Sequence, residues 1–335
     1  MRKIKYLIGC VFRMNFSRMF KTIRRLAKEN RKLTVVIFFD VLWCGLRYSA
    51  GYVDYLIFDF VRLSAKQRKT FVTRGINNEF IRKLNNREDY YKFEDKTVFN
   101  TLFVEFVKRD WMKLPANQGL SGFSHDIVIV KPVDSICGQG IEKVEVSEIV
   151  LVDYDRIVEE VISQHEDLSR LNSSSVNTLR FMTIAPPVAV GDTPLEEGGN
   201  AVHVMFRALR VGVGGSVVDN FNSGGMFVLL DEDGVIITDA VNKNTEIFEK
   251  HPTSGVTFKG YQIPFFKEAE EMVKSAARLG AANGVRYVSW DVAISPAGPV
   301  LIEGNHNPGY DLLQSKVYLQ SNEYGRLADF RRVVG

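Results

Sequence analysis

Cysteine is scarce. Three residues, at positions 10, 44 and 137 of 335, are too few and too widely spaced for a disulfide framework or a paired metal motif. That scarcity favours a reducing cytoplasm over an oxidising exterior. Long apolar runs are missing too. Leu33 to Leu63 is rich in aromatics, but Asp40, Arg47, Asp54, Asp59 and Arg62 interrupt it, and no stretch reaches the roughly 20 residues of a spanning helix. Buried helices are expected there. No internal repeat, Rossmann fingerprint or Walker loop occurs; the glycine cluster Gly212-Val213-Gly214-Gly215 falls between two predicted strands and reads as a hairpin turn. No residue stands out as a nucleophile, which disfavours a hydrolase, and His203, His306 and Cys137 are expected to be passive.

The charge that is present is unevenly placed. Residues 1–32 hold eleven Lys or Arg against one Glu, so a net +3 hides an arm of about +10 and a remainder of about −7. The start imitates a signal peptide, but the apolar run from Tyr6 to Phe12 is short and Arg13 follows without a small-residue cleavage site. Two expectations stand for residues 1–32: an interfacial helix in peripheral contact with anionic membrane at the inner face, or a solvated amphipathic helix on the protein's own surface. No nucleic-acid partner is expected, and the oligomeric state is left open.

The most informative stretch is Ser289-Trp290-Asp291-Val292-Ala293-Ile294, a Pro-Gly turn, then Leu301-Ile302-Glu303-Gly304-Asn305. Side chains alternate along a strand, so Asp291 projects away from Trp290, Val292 and Ile294, and Glu303 and Asn305 share a face with Val300 and Ile302 opposite. A loop of three or five residues sets Asp291 across from Glu303 and Ile294 near Val300; an even-numbered loop throws the carboxylates onto opposite faces. The odd loop is predicted. Two facing carboxylates repel unless a cation lies between them, and an amide oxygen completes a set suited to Mg2+. The plain alternative is the polar face of an edge hairpin.

Upstream, strand Ile127–Lys131 ends in a lysine followed by a Ser/Gly loop containing Ser135, Gly138 and Gly140, whose backbone N–H groups suit phosphate oxygens. Helix is predicted over 95–108 and strands over 141–144, 149–152, 157–161, 177–184, 201–211 and 226–230, with an exposed insertion at 186–200. A helix over 265–279 buries Phe266, Ala269, Met272, Val273, Ala276 and Ala277 on one stripe. Arg207 and Arg210, three apart on one strand, cannot share a face without a bulge, and Arg210 is the favoured site residue.

Taken in order, these pieces resemble the ATP-grasp superfamily over roughly residues 94–315. The motifs are Asp95-Lys96, Lys131 with its loop, Glu159-Glu160-Val161-Ile162 with Glu166, Asn177-Thr178-Leu179-Arg180, Arg207 to Arg210 with Asp219 to Gly225, and Asp291, Glu303 and Asn305, continued by Asn307-Pro308-Gly309. More narrowly, Asp40-Val41-Leu42-Trp43-Cys44, Tyr48, Asp54-Tyr55, Arg68-Lys69 and Ser174 to Arg180 are similar to the sugar-transfer-associated ATP-grasp group. The resemblance implies an α+β fold of two lobes with ATP between them. It assigns 1–93 to a basic arm and helical region, 94–160 to the small lobe and 161–335 to the large lobe. Lys96, Lys131 and the loop would hold phosphates; Glu159, Glu160, Val161 and Ile162 adenine; Glu166 ribose; Asp291, Glu303 and Asn305 Mg2+. Arg180, Arg210 and Asn305 would serve the transferring group. Ordinary ATP-grasp ligases carry an α/β domain before the first lysine; helices replace it here, so acceptor recognition does not transfer.

The implied chemistry is ATP-dependent joining of a small-molecule or sugar carboxylate to an amine through an acyl phosphate, in surface polysaccharide synthesis. The alternatives are a kinase acting on a sugar or polyol hydroxyl, and a nucleotide-binding membrane adaptor without turnover.

Overall fold

The computed structural model describes residues 15–134, 140–186, 201–214, 224–243, 246–315, 318 and 324–335. The chain forms two compact units, Met1–Ile81 with Gly309–Gly335, and Arg82–Pro308. Residues 309–335, expected in the large lobe, therefore pack with the N-terminal helices.

The first unit contains α1 (Phe16–Glu29), α2 (Thr34–Tyr48), α3 (Tyr52–Ile57), α4 (Ala65–Arg68) and α5 (Arg74–Leu84), in which the division between units falls. Asn15 starts α1 by accepting the Arg18 N–H at 2.9 Å. Met19, Ile23 and Leu26 of α1 and Ile37, Val41 and Cys44 of α2 enter a core with Tyr55, Phe58, Phe60 and Phe71. Several residues behind the N-terminal resemblance meet in one network. Asp40 accepts both Arg68 terminal nitrogens at 2.8 Å and the Tyr55 hydroxyl at 2.7 Å, and Arg68 also donates to the Phe60 carbonyl. Burial beside this network pushes the Cys44 thiol up to about 12. The C-terminal segment is tied in by the buried Gln314, which accepts the Val72 N–H at 2.8 Å and donates to the Val72 carbonyl at 3.1 Å. Gly325 lies so close to Thr70 and Phe71 that a Cβ would strike their backbone. One expectation fails. Residues 33–63 are not a set of buried helices, because Val36, Phe39, Trp43 and Leu46 of α2 face solvent.

The second unit contains α6 (Tyr91–Glu94), α7 (Lys96–Leu102), α8 (Val104–Val107), α9 (Glu166–Leu171) and α10 (Phe266–Ala282). Its first sheet comprises β1 (Trp111–Leu114), β2 (Ile127–Pro132), β3 (Glu142–Glu145) and β4 (Arg156–Glu160), in the order β1-β4-β2-β3. Its second comprises β5 (Thr178–Ile184), β6 (His203–Val211), β7 (Met226–Leu229), β8 (Ala240–Asn242), β9 (Ile247–Phe248), β10 (Tyr287–Ser295) and β11 (Gly298–Asn305), in the order β11-β10-β5-β6-β7-β8-β9. Every strand pairing is antiparallel. This is the predicted α+β architecture of two lobes after a helical region.

Helix α10 buries the predicted stripe in the core of the larger sheet. Trp290 is fully buried, with Phe103 at 5.4 Å and Phe93 at 5.9 Å between ring centroids. Predicted helix 95–108 breaks at Phe103 into α7 and α8, and the strand expected at 149–152 is absent, a 3-10 turn at Val146–Glu148 leading into irregular chain. The β6–β7 connection, over 212–225, joins antiparallel neighbours as expected. Of the expected insertion, 187–200 lies outside the described residues.

Candidate functional site

The hairpin parity comes out as predicted by a different route. Ser295 pairs with Gly298, so the loop has two residues, an even number, and Ile294 faces Pro299 rather than Val300. A β-bulge between Asp291 and Val292 restores the alignment, because Val292 pairs with Leu301 while Asp291 pairs with Glu303. Ile302 is the extra residue. The bulge supplies the odd residue that the loop lacks.

Four adjacent strands of the larger sheet then present charge on one face. Asp291 of β10 lies directly across from Arg180 of β5, and Arg210 of β6 is diagonal to Arg180. Arg180 grips Asp291 with two bonds, Nε to Oδ1 at 2.7 Å and Nη2 to Oδ2 at 2.6 Å, and Arg210 Nη1 reaches Oδ2 at 3.0 Å. Arg207 projects to the other face and bonds Glu270 of α10 at 2.5 Å, which resolves the choice between the two arginines in favour of Arg210. On β11, Asn305 Nδ2 donates to Glu303 Oε1 at 3.1 Å.

The electrostatics of this face are asymmetric. Burial would raise the Asp291 pKa, but the Arg180 and Arg210 guanidiniums overcome it and hold the carboxyl below its ordinary value. Glu303 is held above its ordinary value by its enclosed surroundings and by the facing Asp291. It is reachable by water yet closely surrounded by neighbouring atoms. Two carboxylates and an amide, with one carboxyl pushed toward its protonated form by the other, are what a hard divalent cation would relieve, so the donors fit Mg2+. Asp291 Oδ1 accepts a single arginine bond and so keeps a lone pair for such an ion, whereas Oδ2 already accepts two.

The lysines stand on α7 and on β2 of the smaller sheet. Asp95 caps α7 by accepting the Thr97 and Val98 N–H groups at 2.8 and 3.1 Å, which fixes Lys96 as the first helical residue. Lys96 Nζ donates to the Val133 carbonyl at 3.1 Å. Burial and the nearby Lys131 lower its pKa to about 8, against the opposing pull of Glu303, Glu159 and Asp134. Lys96 of the first lobe thus senses both Lys131 and the Glu303 carboxylate of the second. Lys131 is buried and bonds Glu159 Oε2 at 2.7 Å. Gly140 has φ 69°, and a Cβ there would press on the Pro132 ring at 3.0 Å. Ser135 and Gly138 lie outside the described residues.

The hinge candidates divide. Glu159 is buried among Lys131, Arg109 Nη2 at 3.0 Å and Asn100 Nδ2 at 3.0 Å. Glu160, on the opposite face, accepts the Asp110 N–H at 3.1 Å, and His125 Nε2 lies 2.9 Å from the Asp110 carboxylate. Val161 and Ile162 follow β4 directly and are half-buried. Glu166 opens α9 and is exposed, with Arg170 at 3.7 Å. His306 packs on Tyr90 at 4.2 Å between ring centroids.

The family model for sugar-transfer associated ATP-grasp proteins matches residues 143–317. The chain belongs to this family. Lys96 and Lys131 precede the matched segment, whereas Glu159, Arg180, Arg210, Asp291, Glu303 and Asn305 fall within it. A comparison with curated protein sequences gave no match. Among solved structures, the chain is similar to the D-alanine-D-alanine ligase from Coxiella burnetii at 12% identity, covering 73% of this chain and 58% of that one, with a TM-score of 0.40. It is also similar to D-alanyl-alanine synthetase A from Vibrio cholerae O1 at 13% identity, covering 74% and 66%, with a TM-score of 0.43. A third is N5-carboxyaminoimidazole ribonucleotide synthetase from Thermotoga maritima at 10% identity, covering 65% and 43%, with a TM-score of 0.35. The chain thus spans less than two thirds of the first two of these proteins, and with superpositions this loose the family assignment rests on the sequence match.

Two residues that no motif flagged adjoin these candidates. Arg109, beside Glu159, also donates to the Leu301 carbonyl at 2.6 Å and the Ile302 carbonyl at 3.4 Å, at the bulge that aligns Glu303. Asn100 adds the third donor to Glu159. Within the family signature Ser174 to Arg180, the fully buried Asn177 bonds the Leu168 and Asn172 carbonyls and accepts the Gly212 N–H, anchoring the strand that carries Arg180.

Proposed function

We propose that this chain is an ATP-dependent ligase that joins a carboxylate to an amine through an acyl phosphate, with a sugar or amino acid of surface polysaccharide synthesis as substrate. The observation that carries the proposal is that Arg180 and Arg210, fixed by Asp291, share one face of the larger sheet with Glu303 and Asn305, with Lys96 near enough for Glu303 to act on its charge. The family description points to sugars.

Phosphoryl transfer needs alignment and charge neutralisation more than a protein nucleophile. A carboxylate oxygen of the acceptor attacks the γ-phosphorus of ATP, the bond to the β–γ bridging oxygen breaks, and ADP departs. The amine nitrogen then attacks the acyl carbon, the bond to the phosphate oxygen breaks, and the amine gives up a proton. Lys96 and Lys131 hold the phosphates, Lys131 being oriented by Glu159. Arg180 and Arg210, positioned by Asp291, steady the transferring phosphoryl and acyl oxygens. Asp291, Glu303 and Asn305 would hold Mg2+, which when bound supplies charge neutralisation on the phosphate oxygens.

The test is a screen for ADP release with Mg2+ across amino acids paired with uronic or amino sugars, followed by product analysis. Released inorganic phosphate with an amide product is expected. Phosphate retained on the acceptor would make the protein a kinase instead, and no ADP release with any pair would oppose both enzymatic readings.

A further inference from the structure

Helix α2 is apolar on two opposite sides, and only one of them has a partner. Ile37, Val41, Cys44 and Tyr48 enter the core of the first unit. Val35, Val36, Phe39, Leu42, Trp43 and Leu46 form a second stripe at helical spacing, and each is between 41% and 67% exposed. A continuous line of large apolar side chains in water marks an interaction surface. We propose that this stripe docks on an anionic lipid bilayer, with α2 lying in the boundary between headgroups and acyl chains.

The charge around the stripe selects that occupant. Phe20 of α1 stacks on Phe38 of α2 at 5.7 Å, so this edge of α1 borders the stripe. Phe16, Phe20, Arg24 and Lys28 follow one another at four-residue intervals along it, all exposed, so the apolar line passes directly into a basic one. Arg47 flanks the other edge, over the Tyr48 ring. Residues 18–32 carry seven Lys or Arg against one Glu. A second copy of the chain would bring the same positive belt to the contact, whereas anionic headgroups supply the opposite sign. Trp43 in the stripe suits the headgroup level. With 15 residues, and no described helix long and apolar enough to cross a membrane, α2 lies along the surface rather than through it. The sequence leaves residues 1–32 open between membrane contact and the protein's own surface; in the proposed docking α2 makes most of the apolar contact and α1 supplies the charge. The proposal is independent of the catalytic reading.

The test is sedimentation of the full-length protein with vesicles of phosphatidylglycerol and phosphatidylcholine, against phosphatidylcholine alone. The protein is expected to pellet with the anionic vesicles, to be released by high salt, and to show Trp43 quenching by brominated acyl chains that the Trp43→Phe variant lacks. Phe39→Glu with Trp43→Glu, both at exposed positions, should reduce vesicle affinity at least about tenfold with an unchanged melting curve. Arg24→Glu with Lys28→Glu should weaken binding to anionic vesicles only. Absence of pelleting, or equal pelleting with both compositions, overturns the proposal. So does concentration-dependent self-association that the Phe39 and Trp43 substitutions abolish, since the stripe would then join two copies.

Discussion

Two buried carboxylates in this protein are each flanked by two cations, and they are built for different ends. Glu159 is sealed: its partners Arg109 and Lys131 have side chains only 2% and 9% exposed. Asp291 is equally buried at 3%, but its partners Arg180 and Arg210 are 28% and 12% exposed. Both carboxyls are held below the ordinary range for one reason, two nearby positive charges outweighing burial. The difference lies in what can reach them. Arg180 and Arg210 open onto the face that carries Glu303 and Asn305, where the proposed reaction places phosphate and acyl oxygens. Arg109 turns inward and spends its donors on Glu159 and on the carbonyls of the β11 bulge. Apart from the Lys131 ammonium, which the proposed reaction gives to phosphate, the sealed cluster is placed to support the proposed site and the open one to serve it.

Removing Arg109 should break that contrast most visibly. Arg109→Ala leaves a buried carboxylate with one fewer cation and the bulge carbonyls without their donor, at a cost of about 3–5 kcal/mol of stability. Urea unfolding measures it, and a loss under about 1 kcal/mol would mean that the cluster is not structural. Asp291→Asn should act on turnover instead. It frees both arginines from their anchor, and ADP release should fall about 10²- to 10³-fold while the unfolding midpoint moves less than in Arg109→Ala.

The lysine between the clusters supplies a test in pH. The Lys96 pKa near 8 lies below the ordinary lysine value of 10.5. Between those values the unfolded chain binds a proton that the folded chain refuses. The contribution of Lys96 to stability is therefore greatest above pH 10.5, is lost as pH falls through the window, and levels off below pH 8. Unfolding midpoints compared between wild type and Lys96→Met from pH 7 to 11 should differ along that slope; parallel curves would show that Lys96 is not desolvated. Glu303→Gln should have the smallest effect on the fold and the opposite sign. Folding favours the protonated Glu303 carboxyl, so its stabilisation is present at low pH and is lost as pH rises through the raised pKa. At neutral pH without divalent cation the Gln variant should melt no lower than wild type, while ATP turnover disappears. A lower melting temperature would show that Glu303 ionises without strain.

The open cluster was legible in the sequence because its residues sit on strands, where alternation fixes the face. Asp291, Glu303 and Asn305 could be aligned from parity alone, yet the compensating pair of a two-residue loop and a bulge at Ile302 could not, since either solution satisfies the same count. Arg210 was separable from Arg207 for the same reason. The sealed cluster was not legible. Arg109 stands in an irregular stretch between α8 and β1, and its partners at 159, 301 and 302 are remote in sequence. Burial of α2 was misjudged because apolar composition says how much of a helix avoids water, not how many neighbours the fold supplies. The carbonyl-rich ties of Gln314 and Gly325 to residues 70–72 carry no local signal either, so the closing segment was assigned to the wrong unit.

The central claim is that Lys96 of α7, Lys131 of β2 and the oxygen donors of the larger sheet address a single magnesium nucleotide. Isothermal titration calorimetry of ATP with Mg2+ into the full-length protein tests it most directly. One saturable site is expected, weakened by Lys96→Met and by Glu303→Gln alike, because both ends of the same triphosphate would be released. An absence of heat, or binding that survives both substitutions unchanged, would contradict the account.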